Sequence, residues 1–155
     1  MPLLRAALSW NFVLATAICA SLLAQLIKVL LNLFIFHRFI AERMWGAGGM
    51  PSSHSATVCA MVVATGRYCG VNSPLFAIAA VLSIIVMYDA MGVRYETGEQ
   101  AKVLNRMFTE WMDQGFEQFQ LPDGKKLKEM VGHTPIEVVT GAALGIVLGF
   151  AMPMV

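Results

Sequence analysis

LSWNFVLATAICASLLAQLIKVLLNLFIF, residues 8–36, decides the fold. From Phe12 to Ala24 it carries no charge, and the whole run is long enough to cross a bilayer with its last turns in the interface. Gln25, Lys28 and Asn32 then recur at spacings of three and four, so one face of the helix is polar. Such a stripe in an apolar helix belongs against protein or water, away from lipid. Only Arg5 precedes the run, and the run outlasts the apolar part of a secretory signal, so it reads as a retained first membrane helix.

Composition agrees with this reading. Of the 155 residues, 57% are hydrophobic and only 14% charged, and the mean hydropathy of +0.65 is that of an integral membrane protein. The charge pattern gives no sign of a nucleic-acid partner. Cys19, Cys59 and Cys69 lie in or near apolar segments without CxxC spacing, a pattern that supports neither a disulfide framework nor a metal site. No cofactor is expected.

Outward from the first helix, three more apolar stretches follow. The second is expected from near His54 to Arg67, short and rich in small residues (Ala56, Ala60, Ala64, Gly66) that permit close packing. After a turn at residues 70–74, the third runs from about Leu75 to Met91. The last runs from Pro135 to Met152 and carries a ridge of Gly141, Gly145 and Gly149, suited to a neighbouring helix or to a second copy of the chain. Between them, Val93 to Phe108 reads as an amphipathic helix at the interface or over a site. Val93, Thr97, Ala101, Leu104 and Phe108 form its apolar face. Residues 109–131 read as a polar loop. The expected fold is all-α and polytopic, a single domain over 1–155 with about four membrane-embedded helices and one interfacial helix.

The charges orient it. Arg38, Arg43, Arg94, Lys102, Arg106, Lys125, Lys126 and Lys128 fall on one side and only Arg5 and Arg67 on the other. By the positive-inside rule the first side is cytoplasmic.

On that side lies Gly48-Gly49-Met50-Pro51-Ser52-Ser53-His54, a Gly-rich turn, then hydroxyls and an imidazole at a helix start. Free N–H groups and the helix dipole there favour an anion. His133 and Glu137, four apart, would share a helix face, and a carboxylate beside an imidazole fixes its tautomer. Lys28, Arg38 and Arg94 supply positive charge to phosphate oxygens, with Asp89 in support. Phosphoryl transfer needs mainly positioning and charge stabilisation, and this set of residues suits it. Ser52 or Ser53 as a helix cap, Lys28 at the interface and an Asp89–Arg94 ion pair are the plainer readings of the same residues.

Pro51-Ser52-Ser53-His54 resembles the PSGH motif of type 2 phosphatidic acid phosphatases and vanadium haloperoxidases. Gly132-His133-Thr134-Pro135-Ile136-Glu137 resembles the end of their third motif. With GGMPSSHSA, YDAMGVR, GEQAKVLN and GHTPIEV, residues 25–150 are similar to the divergent PAP2 family of small bacterial and plastid membrane proteins. The resemblance implies a metal-independent membrane phosphatase. His133 would attack phosphorus, Glu137 would orient it and His54 would protonate the leaving alcohol. Ser53, Ser52, Lys28 and Arg38 would contact phosphate. Lys28 and Arg38 are ten residues apart, wider than in the superfamily's first motif, and Leu127 stands where the third motif has arginine, which leaves Arg94 for that role. The expected substrate is a lipid or isoprenoid phosphate monoester, with phosphatidylglycerophosphate as a candidate. The expected setting is a bacterial inner membrane or plastid membrane. The alternative is a non-catalytic protein that binds or moves a phosphorylated lipid.

Overall fold

The computed structural model describes residues 11–36, 49–114, 125–129 and 131–154, and among these there is no strand. Five helices follow in order: α1 Phe12–Phe36, α2 Ser53–Cys69, α3 Pro74–Met91, α4 Val93–Asp113 and α5 Pro135–Ala151. The expectations for Arg5 and for the connection with Arg38 and Arg43 fall outside the described residues, as does most of the loop after α4.

Local chemistry sets the ends. The Ser52 and Ser73 hydroxyls cap α2 and α3 by accepting the N–H of Ser55 and of Phe76. Pro74 and Pro135 sit in first turns, where a missing N–H costs nothing. Gly70, at φ +83°, closes α2 in a conformation that side chains resist.

α2 is the centre of the bundle, packed against α5, α1 and α3. It can be central because its contact faces are nearly smooth. Ala20 and Ala24 of α1 meet Ala56 and Ala60 of α2 in one fully buried cluster, edged by Leu144 and Leu148 of α5. The glycine ridge is taken by α2 of the same chain. A Cβ at Gly141 would strike the Ser52 carbonyl, one at Gly145 the Ala56 carbonyl, and one at Gly149 would lie 2.7 Å from Val63 Cβ. That ridge is therefore not free for a second copy.

α1 and the α3–α4 run are long and apolar enough to cross a membrane, whereas α5 is apolar but shorter. Only 28% of the spanning stretch of α1 and 17% of that of the α3–α4 run is buried inside the protein. A soluble core helix would be mostly enclosed; here leucines and isoleucines such as Leu22, Ile78 and Ile85 face outward, as a lipid solvent requires.

α4 differs from expectation in two ways. It continues to Asp113, five residues past the expected end. Its packed residues are Gly98, Ala101 and Asn105, while Val93 and Leu104 of the expected apolar face are 63% and 42% exposed. The reason is what it packs against. Leu127, Glu129 and Val131, in a strap before α5, meet α4 through backbone groups, which favours small residues and an amide. The larger apolar side chains stay outward, as in a helix lying in a headgroup layer.

Candidate functional site

Lys28 of α1, the start of α2, the α3–α4 joint and the start of α5 meet at one end of the bundle. His133 lies just before α5, and the helix i,i+4 geometry expected for it and Glu137 is not how they meet. Thr134 is the N-cap and Glu137 the third helical residue, so the carboxylate reaches back over the helix start. Glu137 Oε2 accepts the Thr134 N–H at 2.9 Å and lies 3.2 Å from His133 Nδ1. A Thr-x-x-Glu capping device thus also serves the histidine. With Nδ1 held by the carboxylate, Nε2 is the free ring nitrogen.

His133 is 3% exposed. Its N–H donates to the Ala90 carbonyl at 3.0 Å, which ties the strap to the end of α3. Gly132, at φ +84°, lets the chain pass against the backbone of Arg94 and Tyr95, where a Cβ would collide. Burial holds the His133 imidazole below its ordinary value. Glu137 acts in the opposite sense, and the charges of Lys28 and His54 add to the lowering.

His54, the second residue of α2, faces this histidine with ring centroids 6.3 Å apart and planes at 63°. A cavity of about 40 Å³ opens between them, lined by His54, Asp89, Arg94 and His133 with Val86, Ala90 and Gly132. Arg94 Nε donates to Asp89 Oδ2 at 2.6 Å, with both side chains partly exposed. The charges of Arg94, Lys28 and Asp89 all reach His54.

The remaining residues expected at the site stand behind the cavity. Ser52 is 0% exposed, and its hydroxyl accepts from the N–H and hydroxyl of Ser55. Its own N–H donates to the Glu137 carbonyl, pinning the start of α2 to the start of α5. Ser53 is buried in the first turn of α2. Lys28 is 2% exposed and continues the buried stripe of Ala17, Ala20 and Ala24, so it does not reach out to the interface. Its stem packs under Gly49, with Cδ 3.5 Å from where a Cβ would be, and its charge acts on Glu137. One turn deeper, Gln25 Oε1 is the one buried side-chain acceptor without a hydrogen-bond partner among the described residues. Arg38 lies outside the described residues.

Sequence reasoning assigned no role to Gly132 or Ala90, which meet the segment carrying the histidine through backbone contacts, or to Asn105, whose side chain holds Leu127. The positive φ at Gly132 could have been suspected from a glycine directly before the motif histidine. Among the described residues no group of three or more His, Cys, Asp or Glu side chains is set to hold a metal ion.

Set beside known proteins, residues 9–148 match the family model described as the divergent PAP2 family. The uncharacterized membrane protein YuiD of Bacillus subtilis (strain 168) is 39% identical over 144 residues, which cover 89% of this chain and 91% of that protein. No solved structure matches.

Proposed function

The chain belongs to the divergent PAP2 family, and on that premise we propose that it hydrolyses a phosphate monoester of a membrane lipid or isoprenoid, with His133 as nucleophile. The observation that carries the reading is the His133–Glu137 pair facing His54 across a cavity that Arg94 also lines.

The chemistry follows from the two imidazoles. Neutral His133 attacks phosphorus through Nε2, and the phosphorus–oxygen ester bond breaks as the nitrogen–phosphorus bond forms. The Nδ1 proton, held by Glu137, stabilises the imidazolium character that develops. His54 in its protonated form gives its proton to the departing alkoxide. Water then enters where the alcohol left. Neutral His54 takes its proton, the nitrogen–phosphorus bond breaks and inorganic phosphate is released. Arg94 lines the cavity on the phosphate side, with Asp89 holding the guanidinium in place. Lys28 acts from behind, where its charge opposes that of Glu137. The start of α2, whose second residue His54 lines the cavity, adds the positive end of a helix dipole.

The site faces the cytoplasmic leaflet in this reading. Arg94, Lys102, Arg106, Lys125, Lys126 and Lys128 are on its end or its flanking segments, against Arg67 at the far end. Basic residues there attract anionic head groups such as phosphatidylglycerophosphate.

A second reading, binding or movement of a phosphorylated lipid without turnover, is favoured by two observations. The Arg94 guanidinium is already engaged by Asp89, and Lys28, Ser52 and Ser53 do not line the cavity.

The test is phosphate release from a panel of lipid phosphates by detergent-purified protein in EDTA. Turnover lost in both His133→Ala and His54→Ala supports hydrolysis. Head-group binding without turnover supports the second reading. Undiminished turnover by the double variant refutes the site.

A further inference from the structure

Gly98, Ala101 and Asn105 take no part in the chemistry above, yet they are the buried residues of α4. Asn105 is 4% exposed, and its carboxamide grips one strap residue from both sides. Nδ2 donates to the Leu127 carbonyl at 2.9 Å, and Oδ1 accepts the Leu127 N–H at 2.9 Å. Nδ2 also donates to Glu129 Oε1 at 2.7 Å. Only a carboxamide offers a donor and an acceptor in a fork of this shape, and asparagine has the shorter reach.

The grip continues toward the site. Gly98 passes so close to the strap that a Cβ would lie 2.6 Å from the Glu129 carbonyl oxygen and 2.9 Å from that of Val131. Gly132 then lies on the backbone of the first turn of α4, and the His133 N–H is held by Ala90. Between Leu127 and His133 the strap is fixed to the α3–α4 unit at several successive points. Within the described residues α4 touches no helix except α3, so the strap is its main partner.

We propose that Asn105 is a positioning residue that clasps residues 127–129 to α4 and thereby aims the ring of His133 into the cavity. The kinetic part of this inference rests on His133 being the nucleophile. The structural part does not.

Asn105→Asp is the near-isosteric probe. It keeps the acceptor for the Leu127 N–H, removes the donor to Leu127 and Glu129, and sets two carboxylates together. The expected result is a fall in kcat of about tenfold to a hundredfold with KM within about twofold, because a small misplacement of a reacting group acts on the chemical step. The His133 imidazole nitrogen shifts move, and its backbone N–H exchanges faster. Adding Glu129→Gln restores a donor–acceptor pair in reversed sense and recovers part of the kcat. Glu129→Ala, at an exposed residue, removes one of the bonds and gives a smaller change of the same kind.

Unchanged His133 signals and kcat in Asn105→Asp overturn the proposal. If that variant does not fold, the same null result in Glu129→Ala overturns it. If wild-type protein releases no phosphate, the catalytic reading fails, and the His133 shifts and exchange alone decide the clasp.

Discussion

The two ends of the bundle handle charge in opposite ways. At one end Arg67 commits a single nitrogen, Nη1, to three carbonyls of the α5 terminus, those of Gly149, Phe150 and Met152, at 2.6, 3.1 and 2.7 Å. Its guanidinium also lies 5.6 Å from the centre of the Phe12 ring. That cation closes the last turn of α5 and joins it to α1 and α2. At the other end His133 Nε2 and the His54 ring have no hydrogen-bond partner among the described residues, and they line a cavity. One end satisfies its polar groups and holds the bundle together. The other keeps two imidazoles open at the cost of a less complete hydrogen-bond network, which is the distribution expected when a site is built into a stable frame.

Substitutions at the two ends should therefore separate activity from stability. The largest effect is expected from Glu137→Gln, which leaves the shape but removes the charge that fixes the His133 tautomer. Turnover should fall by about two to four orders of magnitude, by analogy with losing the orienting carboxylate of a catalytic triad, while the melting temperature changes little. A large loss of stability with normal turnover in the folded fraction would break the comparison. Arg67→Ala should do the reverse. Removing charge-assisted bonds to three carbonyls costs about 2 kcal/mol of stability, read as a lower melting temperature in detergent, with unchanged kcat in the folded protein.

The pH profile sharpens the open end. The His133 pKa lies below the ordinary 6.5 because of burial. The neutral nucleophile therefore persists into mild acid, and the acid limb of kcat/KM should lie below that value. The same sign applies to stability. The folded state resists protonation of His133, so this contribution is intact above the ordinary value and is lost as pH falls through the lowered one. An acid limb above 6.5 would place the nucleophile elsewhere. The smallest effect is expected from Gln25→Leu. It removes a buried acceptor that has no partner among the described residues and should stabilise the protein by about 1 kcal/mol, with turnover unaltered. A marked loss of turnover would mean that Gln25 belongs to the site.

How much of this was legible in the sequence depends on the kind of contact. The helices were readable because their ends carry their own chemistry: Ser52 as a cap, Pro135 in a first turn, and the turn that begins at Gly70. The pairing of Asp89 with Arg94, and the meeting of His54 with His133, follow from placing helix ends at one depth. The His133–Glu137 pair was legible as a pair, although a capping device, and not a shared helix face, brings it about. The packed face of α4 was not legible, because apolar periodicity assumes side chains packing on side chains. There the partner is a backbone, and Gly98 and Asn105 matter more than Val93 or Leu104. The extension of α4 to Asp113 was legible, since no glycine or proline marks an end at residue 108 and the next glycine comes after Gln114. The placing of Lys28 behind Glu137 was hidden because the long stem of a lysine leaves the depth of its charge open until its neighbours are known.

The central claim is that His133 forms a covalent bond to phosphorus. The most direct measurement is rapid quench of the purified protein with a turned-over lipid phosphate, followed by peptide mapping under alkaline conditions. The account predicts phosphorylation at His133, accumulating further in His54→Ala when the leaving group is activated and needs no proton. Phosphate release without any phosphohistidine, or the label on another residue, would contradict it.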